Sequence, residues 1–161
     1  MNDSSQPSGL LRRACVLAIL AGCSAAAPAV DTRPVLIPAP SDTSDVPALV
    51  ASELAKAEAK RARLLVYVGA SWCEPCRRFH DALGAGELDA TLPNLRFLEF
   101  DYDRSKPALE RAGYVSRLIP LFAIPNADGT ASAQRMEGSI KGPSAVAQNL
   151  VPRLKELLRV R

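Results

Sequence analysis

The sequence predicts a mixed α/β layer fold, and three observations support this prediction. A compact apolar run of β-forming residues lies at 64–68, and a second apolar segment lies at 95–102. Segments with helical spacing alternate with these predicted strands. The turn sequence Asn-Ala-Asp-Gly at 126–129 separates two further short strands, which indicates a hairpin. We therefore expect three layers, with a central mixed sheet flanked by helices.

Residues 1–22 predict an export signal that precedes the domain. Arg12 and Arg13 come before a short apolar run at 14–21, and small residues follow it. This order is typical of a signal peptide. A membrane-spanning helix needs about 20 apolar residues, more than twice the length of this run. An uncleaved anchor stays open as an alternative, because the uncharged stretch continues to Val30.

The sequence Leu-Ala-Gly-Cys that ends at Cys23 resembles the lipobox of bacterial lipoproteins. The resemblance implies that Cys23 becomes the first mature residue and carries a diacylglyceryl thioether and an N-acyl chain. Several acyl chains anchor a protein stably, whereas a single chain holds it only marginally. We expect a lipid anchor in a bacterial cell envelope, with the domain facing the periplasm or the cell exterior. A plain signal peptide with an incidental cysteine is the alternative.

The segment after the lipidated cysteine, within residues 23–45, is rich in Ala, Pro, Ser and Thr. Its four prolines are expected to block both helix and sheet. We therefore predict a partly extended tether, followed by the domain at residues 46–161. Ser44 or Asp45 is a suitable N-cap for the first helix of the domain, and Pro47 suits its first turn.

Further helices and a hairpin complete the predicted order. Gly84 and Gly86 end the helix that follows the first strand, and Gly113 ends the next helix. A last helix follows the hairpin, after breaks at Gly138 and Gly142. In chain order these elements cover residues 75–83, 105–112, 121–124, 132–137 and 143–159.

The charge pattern and the positions of the cysteines reduce the number of possible functions. The formal net charge is +3, and positive residues alternate with negative ones, so we expect no nucleic-acid partner. Of the four cysteines, Cys15 lies in the signal and Cys23 is expected to be acylated. Cys73 and Cys76 remain as free thiols in a compartment that permits disulfides.

The stretch Ser-Trp-Cys-Glu-Pro-Cys at 71–76 fits three kinds of chemistry. A zinc site needs four ligands, but the mature chain offers one cysteine pair and His80, so we expect no metal. A structural disulfide across two residues removes little entropy from the unfolded chain. A redox pair suits a strand-to-helix position, because the helix N-terminus stabilises a thiolate. In that interpretation Cys73 is the exposed nucleophile, and Cys76 resolves the mixed disulfide.

The residues around this pair resemble the thioredoxin family. Residues 72–76, WCEPC, match its WCxPC motif, and Ile119-Pro120 matches the isoleucine and cis-proline that lie opposite its active site. The resemblance covers about residues 47–160. It implies a thioredoxin-like fold, a thiol-disulfide oxidoreductase without a cofactor, and a redox disulfide between Cys73 and Cys76.

The same resemblance implies a substrate surface. Trp72 is expected to pack beside the site and to contact substrate. A cis Pro120 has no N–H and keeps the chain flat beside Cys73. The backbone of Ile119 is then free to pair with an extended substrate segment. A proline at the start of a strand is the simpler interpretation of Pro120.

Two positions depart from the family pattern. The family's buried aspartate, six residues before its first cysteine, is Tyr67 here, and the lysine of its next strand aligns roughly with Glu99. We hypothesise that Glu99 supplies the acid/base group, because its neighbours are apolar. A solvent-facing or edge position for Glu99 is the alternative. His80, four residues after Cys76, is a candidate to tune the thiol, although such a histidine is more often a polar surface group.

The residues between and after the two cysteines give conflicting indications of the direction of electron flow. Glu74 disfavours the Cys73 thiolate, Arg77 and Arg78 favour it, and Pro75 resembles the reducing members of the family. We expect a monomeric reductase of disulfides in exported proteins, recharged by a thiol electron donor in the membrane. A disulfide oxidase or isomerase stays open, as does a thioredoxin-fold binding module with little redox activity.

Overall fold

A computed structural model of the protein describes residues 32–159. The predicted signal peptide, the predicted lipidation site Cys23 and the first part of the tether lie outside these residues. None of the helices between residues 32 and 159 is both long enough and apolar enough to cross a membrane.

Five strands form one sheet, in which β1 and β5 are the edge strands and β3, β2 and β4 lie between them. The neighbours of β3 are parallel to it, whereas β4 runs antiparallel to both β2 and β5. The spatial order is β1-β3-β2-β4-β5, which confirms the predicted mixed sheet. The strands are β1 (Val35–Pro38), β2 (Arg63–Gly69), β3 (Leu95–Asp101), β4 (Leu121–Pro125) and β5 (Ala131–Glu137).

Helices cover both faces of the sheet, so the three predicted layers are present. The Asp45 carboxylate accepts the backbone N–H of Ala48 at 3.0 Å and caps the first helix, as predicted. The α-helices are α1 (Val46–Ala59), α2 (Glu74–Gly84), α3 (Tyr102–Arg111) and α4 (Val151–Arg159), and a π-helical segment (Ala145–Leu150) leads into α4.

Alternation along β2 divides the core into two clusters. Leu65 and Tyr67 face α2 and α4, whereas Leu64, Val66 and Val68 face α1 and α3. All five side chains are buried, as expected for an inner strand that is covered on both faces. The two cysteines belong to the same cluster as Tyr67. The alternation of side chains along β2 therefore determines which β2 residues face the cysteine pair.

The predicted tether contains a strand, so the expectation that its prolines exclude sheet is wrong. Val35–Pro38 pairs parallel to β3, and the backbone N–H of Asn94 donates to the carbonyl of Thr32 at 2.6 Å. Ordered structure therefore begins before residue 46. An edge strand tolerates proline because one of its sides has no ladder partner.

Two further elements differ from their predicted bounds. The helix expected at 105–112 begins at Tyr102, because the Asp101 carboxylate caps it by accepting the N–H of Arg104 at 3.0 Å. The last helix begins two residues later than predicted and opens with wide π-helical turns. Neither difference moves an element to another layer.

Candidate active site

The cysteine pair lies where β2 ends and α2 begins. Cys73 is the N-cap of α2, and its N–H donates to the carbonyl of Ala70 at 3.1 Å. Its own carbonyl accepts the N–H of Arg77 at 3.1 Å and so starts the helix. Pro75 occupies the first turn, where its missing N–H has no intrahelical partner to lose. The sequence therefore places both sulfurs at the positive end of a helix dipole.

Cys73 and Cys76 form a disulfide. Cys73 is 4% exposed and Cys76 is 1% exposed. Cys73 is the more exposed of the two, as predicted. Both are nevertheless buried in the disulfide form, so the expectation of an exposed Cys73 is wrong for this oxidised state.

Glu74, between the cysteines, is partly exposed and has two hydrogen-bond partners. Its carboxylate lies 2.7 Å from the Arg78 guanidinium and accepts the N–H of Gly142 at 3.2 Å. The hydrogen bond from Arg78 is the main reason that the pKa of Glu74 is lowered. The negative charge that was expected to disfavour the Cys73 thiolate is therefore largely offset by a neighbouring cation.

Trp72 presents an apolar surface next to Cys73. It is 60% exposed, and its indole N–H donates to the Asp103 carboxylate at 2.8 Å. The Tyr102 ring meets it edge to face at 6.4 Å. These contacts come from the first turn of α3, which is the part of that helix absent from the sequence-based prediction. The indole is thus oriented although most of it faces solvent.

The peptide bond between Ile119 and Pro120 is cis, as the family resemblance implies. Pro120 directly precedes Leu121, which pairs with Val68 near the end of β2. The proline therefore lies at the same end of the sheet as the cysteines. Ile119 packs against the core cluster that contains Cys73 and Cys76.

A second exposed apolar group flanks the cis-proline. Leu118 is 62% exposed and lies against Gly138, where an added Cβ would come within 3.1 Å of the leucine side chain. Gly138 also has a φ of +70° and donates its N–H to the carbonyl of Pro120 at 2.8 Å. A side chain at Gly138 would therefore strain the backbone and displace Leu118.

A cleft of about 450 Å³ opens on the Cys76 side of the disulfide. Its volume is sufficient for several water molecules. Charged and polar side chains of α2, β3 and the first turn of α3 line it. They include Arg77, His80, Glu99, Asp101 and Arg104, together with Cys76.

His80 and Glu99 form an ion pair inside this cleft. The His80 Nε2 lies 2.7 Å from a Glu99 carboxylate oxygen. The hydrogen bond to Glu99 is the first cause of the raised pKa of His80. Glu99 lies on the inner strand β3 and its side chain is 23% exposed, so it is neither an edge residue nor fully solvent-facing.

Tyr67 stands beside Glu99 in the sheet register, and its side chain is fully buried. Its hydroxyl has no hydrogen-bond partner among residues 32–159. A Cβ added at Gly69 would lie 2.6 Å from this hydroxyl and 3.5 Å from the Cβ of Cys76. Burial, followed by the charge of Glu99, strongly raises the pKa of Tyr67. Tyr67 therefore keeps its proton at neutral pH and cannot act there as a base.

Sequence reasoning named Glu99 and His80 separately and missed their pairing. His80 falls on the face of α2 that meets β3, which the four-residue spacing from Cys76 allowed but did not require. Asp103 was not predicted at all, because no spacing links it to Trp72. Within residues 32–159 there is no group of three or more His, Cys, Asp or Glu side chains that could hold a metal ion.

Comparison with known proteins gives the following similarities. Residues 46–127 match a family model described as thioredoxin-like. Among solved structures, the chain is similar to the thioredoxin of Trichomonas vaginalis, with 19% identity, a TM-score of 0.48, and coverage of 81% of this chain and 99% of that chain. It is also similar to oxidised thioredoxin O2 of Arabidopsis thaliana, with 21% identity, a TM-score of 0.44, and coverage of 80% and 93%. No curated protein sequence matches it.

Proposed function

The chain belongs to the thioredoxin-like family, and we propose that it reduces disulfides in exported proteins. The family and the close cysteine pair support a thiol-disulfide oxidoreductase in general. The observation that carries the proposal is the Cys73–Cys76 disulfide at the start of α2, at the sheet end that also carries cis Pro120. Trp72, Ile119 and Pro120 are proposed to receive the substrate.

The reaction begins with a reduced Cys73–Cys76 pair. The Cys73 thiolate attacks one sulfur of the substrate disulfide, which forms a Cys73–substrate disulfide and releases one substrate thiolate. The Cys76 thiolate then attacks the Cys73 sulfur, which closes the Cys73–Cys76 disulfide and releases the second substrate thiolate. The substrate gains two electrons, and the enzyme loses two. A thiol electron donor in the membrane is proposed to restore the reduced pair.

The second step requires that Cys76 lose its proton. Glu99 is proposed as the group that receives it, with His80 as its partner in the same cleft. The two side chains are 2.7 Å apart and line the cleft together with Cys76. The cleft is large enough to hold water, which is proposed to carry the proton. The buried hydroxyl of Tyr67 cannot take this role, because burial keeps it protonated.

The proposal of an exported, lipid-anchored protein rests on the sequence before Thr32. The apolar run and the Leu-Ala-Gly-Cys motif support it. Incorporation of labelled fatty acid into the wild-type protein, and its loss in Cys23→Ser, is the expected result in bacterial cells. Equal labelling of both proteins would contradict lipidation at Cys23.

Insulin reduction tests the redox function. The purified wild-type protein, supplied with dithiothreitol, is expected to accelerate the precipitation of insulin, and Cys73→Ser is expected to show the background rate. No acceleration by the wild-type protein would contradict the proposal and would favour a binding module. An unchanged rate in Cys73→Ser would show that another group is responsible.

A further inference from the structure

The chain that leads to the cis-proline is held by a carboxylate from another strand. Residues 115–118 belong to neither a helix nor a strand. Glu137, at the end of β5, directs its Oε2 towards this stretch. It accepts the N–H of Arg117 at 2.9 Å, the N–H of Leu118 at 3.4 Å and the hydroxyl of Ser116. The N–H of Leu118 is shared with the Ser116 Oγ at 3.2 Å, and the Ser116 hydroxyl also contacts the carbonyl of Leu118, so Glu137 and residues 116–118 form one hydrogen-bonded cluster.

These three donors fix the path of the backbone just before Ile119. Hydrogen bonds to an ionised acceptor are stronger than those between neutral groups. The hydrogen bond from Ser116 is the first cause of the lowered pKa of Glu137, and the N–H groups of Arg117 and Leu118 add to it. The carboxylate therefore stays ionised through neutral pH and holds residues 116–118 in one arrangement.

The backbone of Glu137 is held in turn by an arginine of α4. The Arg153 guanidinium, on α4, donates to the carbonyl of Glu137 at 2.9 Å and to that of Gly138 at 2.6 Å. Gly138 in turn donates its N–H to the carbonyl of Pro120. The bonds from Arg153 and Gly138 hold the end of β5 and Pro120 together, and Glu137 extends this support to residues 116–118.

We propose that Glu137 is a positioning residue, which holds residues 116–118 so that Ile119 is ready to pair with an extended substrate segment. The inference rests on the proposed function. Ordering a mobile stretch at the moment of binding reduces affinity, and an arrangement that is already formed avoids this loss. Glu137 is therefore expected to matter for protein substrates and not for disulfides too small to contact Ile119.

The test compares two substrates in Glu137→Ala. The KM for insulin is expected to rise about tenfold, with a kcat close to that of the wild type. The rate with a small aromatic disulfide is expected to change less than about twofold, because that substrate needs only the sulfurs. Glu137→Gln, which retains an acceptor oxygen, is expected to recover part of the insulin KM. The reduction potential of the cysteine pair is expected to stay unchanged.

Glu110→Ala is the matched control. Glu110 is an exposed glutamate on α3 near Val115 and Ser116, and it accepts no hydrogen bond with its side chain from residues 115–118 of the described chain. Its KM for insulin is expected to equal that of the wild type. Backbone amide exchange at Arg117 and Leu118, expected to be faster in Glu137→Ala and Glu137→Gln than in the wild type, gives a readout independent of turnover.

Several results would overturn the inference. An unchanged KM for insulin in Glu137→Ala would do so, as would an equal loss of activity with both substrates, which indicates a general loss of structure. Unchanged amide exchange at Arg117 and Leu118 in Glu137→Gln would also overturn the inference, even if Glu137→Ala folded poorly. If the wild-type protein reduced neither substrate, the proposed function would fail, and this inference would fail with it.

Discussion

The surroundings of Cys73 and those of Cys76 differ in chemistry. Exposed apolar side chains lie next to Cys73 and close to the cis-proline in the chain: Trp72 directly precedes Cys73, and Leu118 lies two residues before Pro120. On the Cys76 side, the cleft is lined by an ion pair and further charged groups. The two sulfurs are joined in one disulfide, yet exposed apolar side chains lie on one side and a cleft with polar and charged side chains lies on the other.

In the proposed mechanism, this difference assigns the two steps of the exchange to different side chains. The first step needs a substrate disulfide to approach Cys73, so its cost depends on contacts with Trp72 and the chain around Pro120. The second step needs a proton to leave Cys76, so its cost depends on His80 and Glu99. A variant on one side should therefore change one step and leave the other unaffected.

The largest expected effects come from the cysteines themselves. Cys73→Ser is expected to reduce insulin turnover more than about 100-fold, because it removes the nucleophile. Cys76→Ser is expected to retain the first step and to accumulate a mixed disulfide with insulin, visible by mass spectrometry without reductant. Accumulation of that adduct in Cys73→Ser instead would reverse the two assigned roles.

The second prediction concerns the Cys76 side. In Glu99→Gln, the resolving step is expected to slow about tenfold at pH 7. Its rate should then rise steeply towards the ordinary cysteine pKa of about 8.5, because the thiol must ionise without a nearby acceptor. Stopped-flow measurement of mixed-disulfide decay between pH 6 and 9 gives the profile.

Tyr67→Phe is the matched control for Glu99→Gln. It removes a buried hydroxyl that has no partner within residues 32–159, so the pH profile should stay that of the wild type. An unchanged profile in Glu99→Gln, or a changed one in Tyr67→Phe, would contradict the assignment of the proton acceptor.

The third prediction concerns the Cys73 side. Trp72→Ala is expected to raise the KM for insulin about tenfold, since exposed aromatic side chains at interfaces often contribute more than 1 kcal/mol. The resolving rate should not change. Val35→Ala, an exposed apolar residue near the other end of the sheet, is the control. A slower resolving step in Trp72→Ala would contradict the proposal that the two sides affect different steps.

The smallest expected effect is on stability. The pKa of His80 is raised in the folded state, first by its hydrogen bond to Glu99. Its contribution to stability is therefore fully present below the unfolded pKa of about 6.5 and is lost as the pH rises through the folded value.

Comparison of the wild type with His80→Gln measures this contribution. At pH 5.5 the wild type should be more stable by about 0.5 kcal/mol, because the half-exposed pair is screened by water. The difference should disappear by pH 9. Urea unfolding at the two pH values checks it, and a difference that grows with pH would contradict the pairing.

The order of the core elements could be predicted from the sequence because their patterns are local. The apolar run at 64–68 and the turn at 126–129 each indicate one structure without help from distant residues. β1 could not be predicted in this way. Pro38 within it and Pro34 just before it argue against a strand, and the pairing with β3 that overrides them is a contact between residues far apart in the chain.

The same distinction applies to the site. Cys73, Cys76 and Pro120 belong to short motifs, and the structure brings them to one end of the sheet. The hydrogen bonds from Trp72 to Asp103 and from Arg117 to Glu137, and the contact between His80 and Glu99, join residues that are distant in the chain. No spacing rule contains them, so the partners of the predicted residues appear only in the folded chain.

The reduction potential of the Cys73–Cys76 pair tests the central claim most directly. Equilibration of the wild-type protein with glutathione or dithiothreitol buffers, followed by thiol alkylation and mass spectrometry, gives this value. A reductase requires a potential near that of thioredoxin, at about −270 mV, and this is the result that we predict. A potential near about −120 mV, typical of a strong disulfide oxidant, would contradict it.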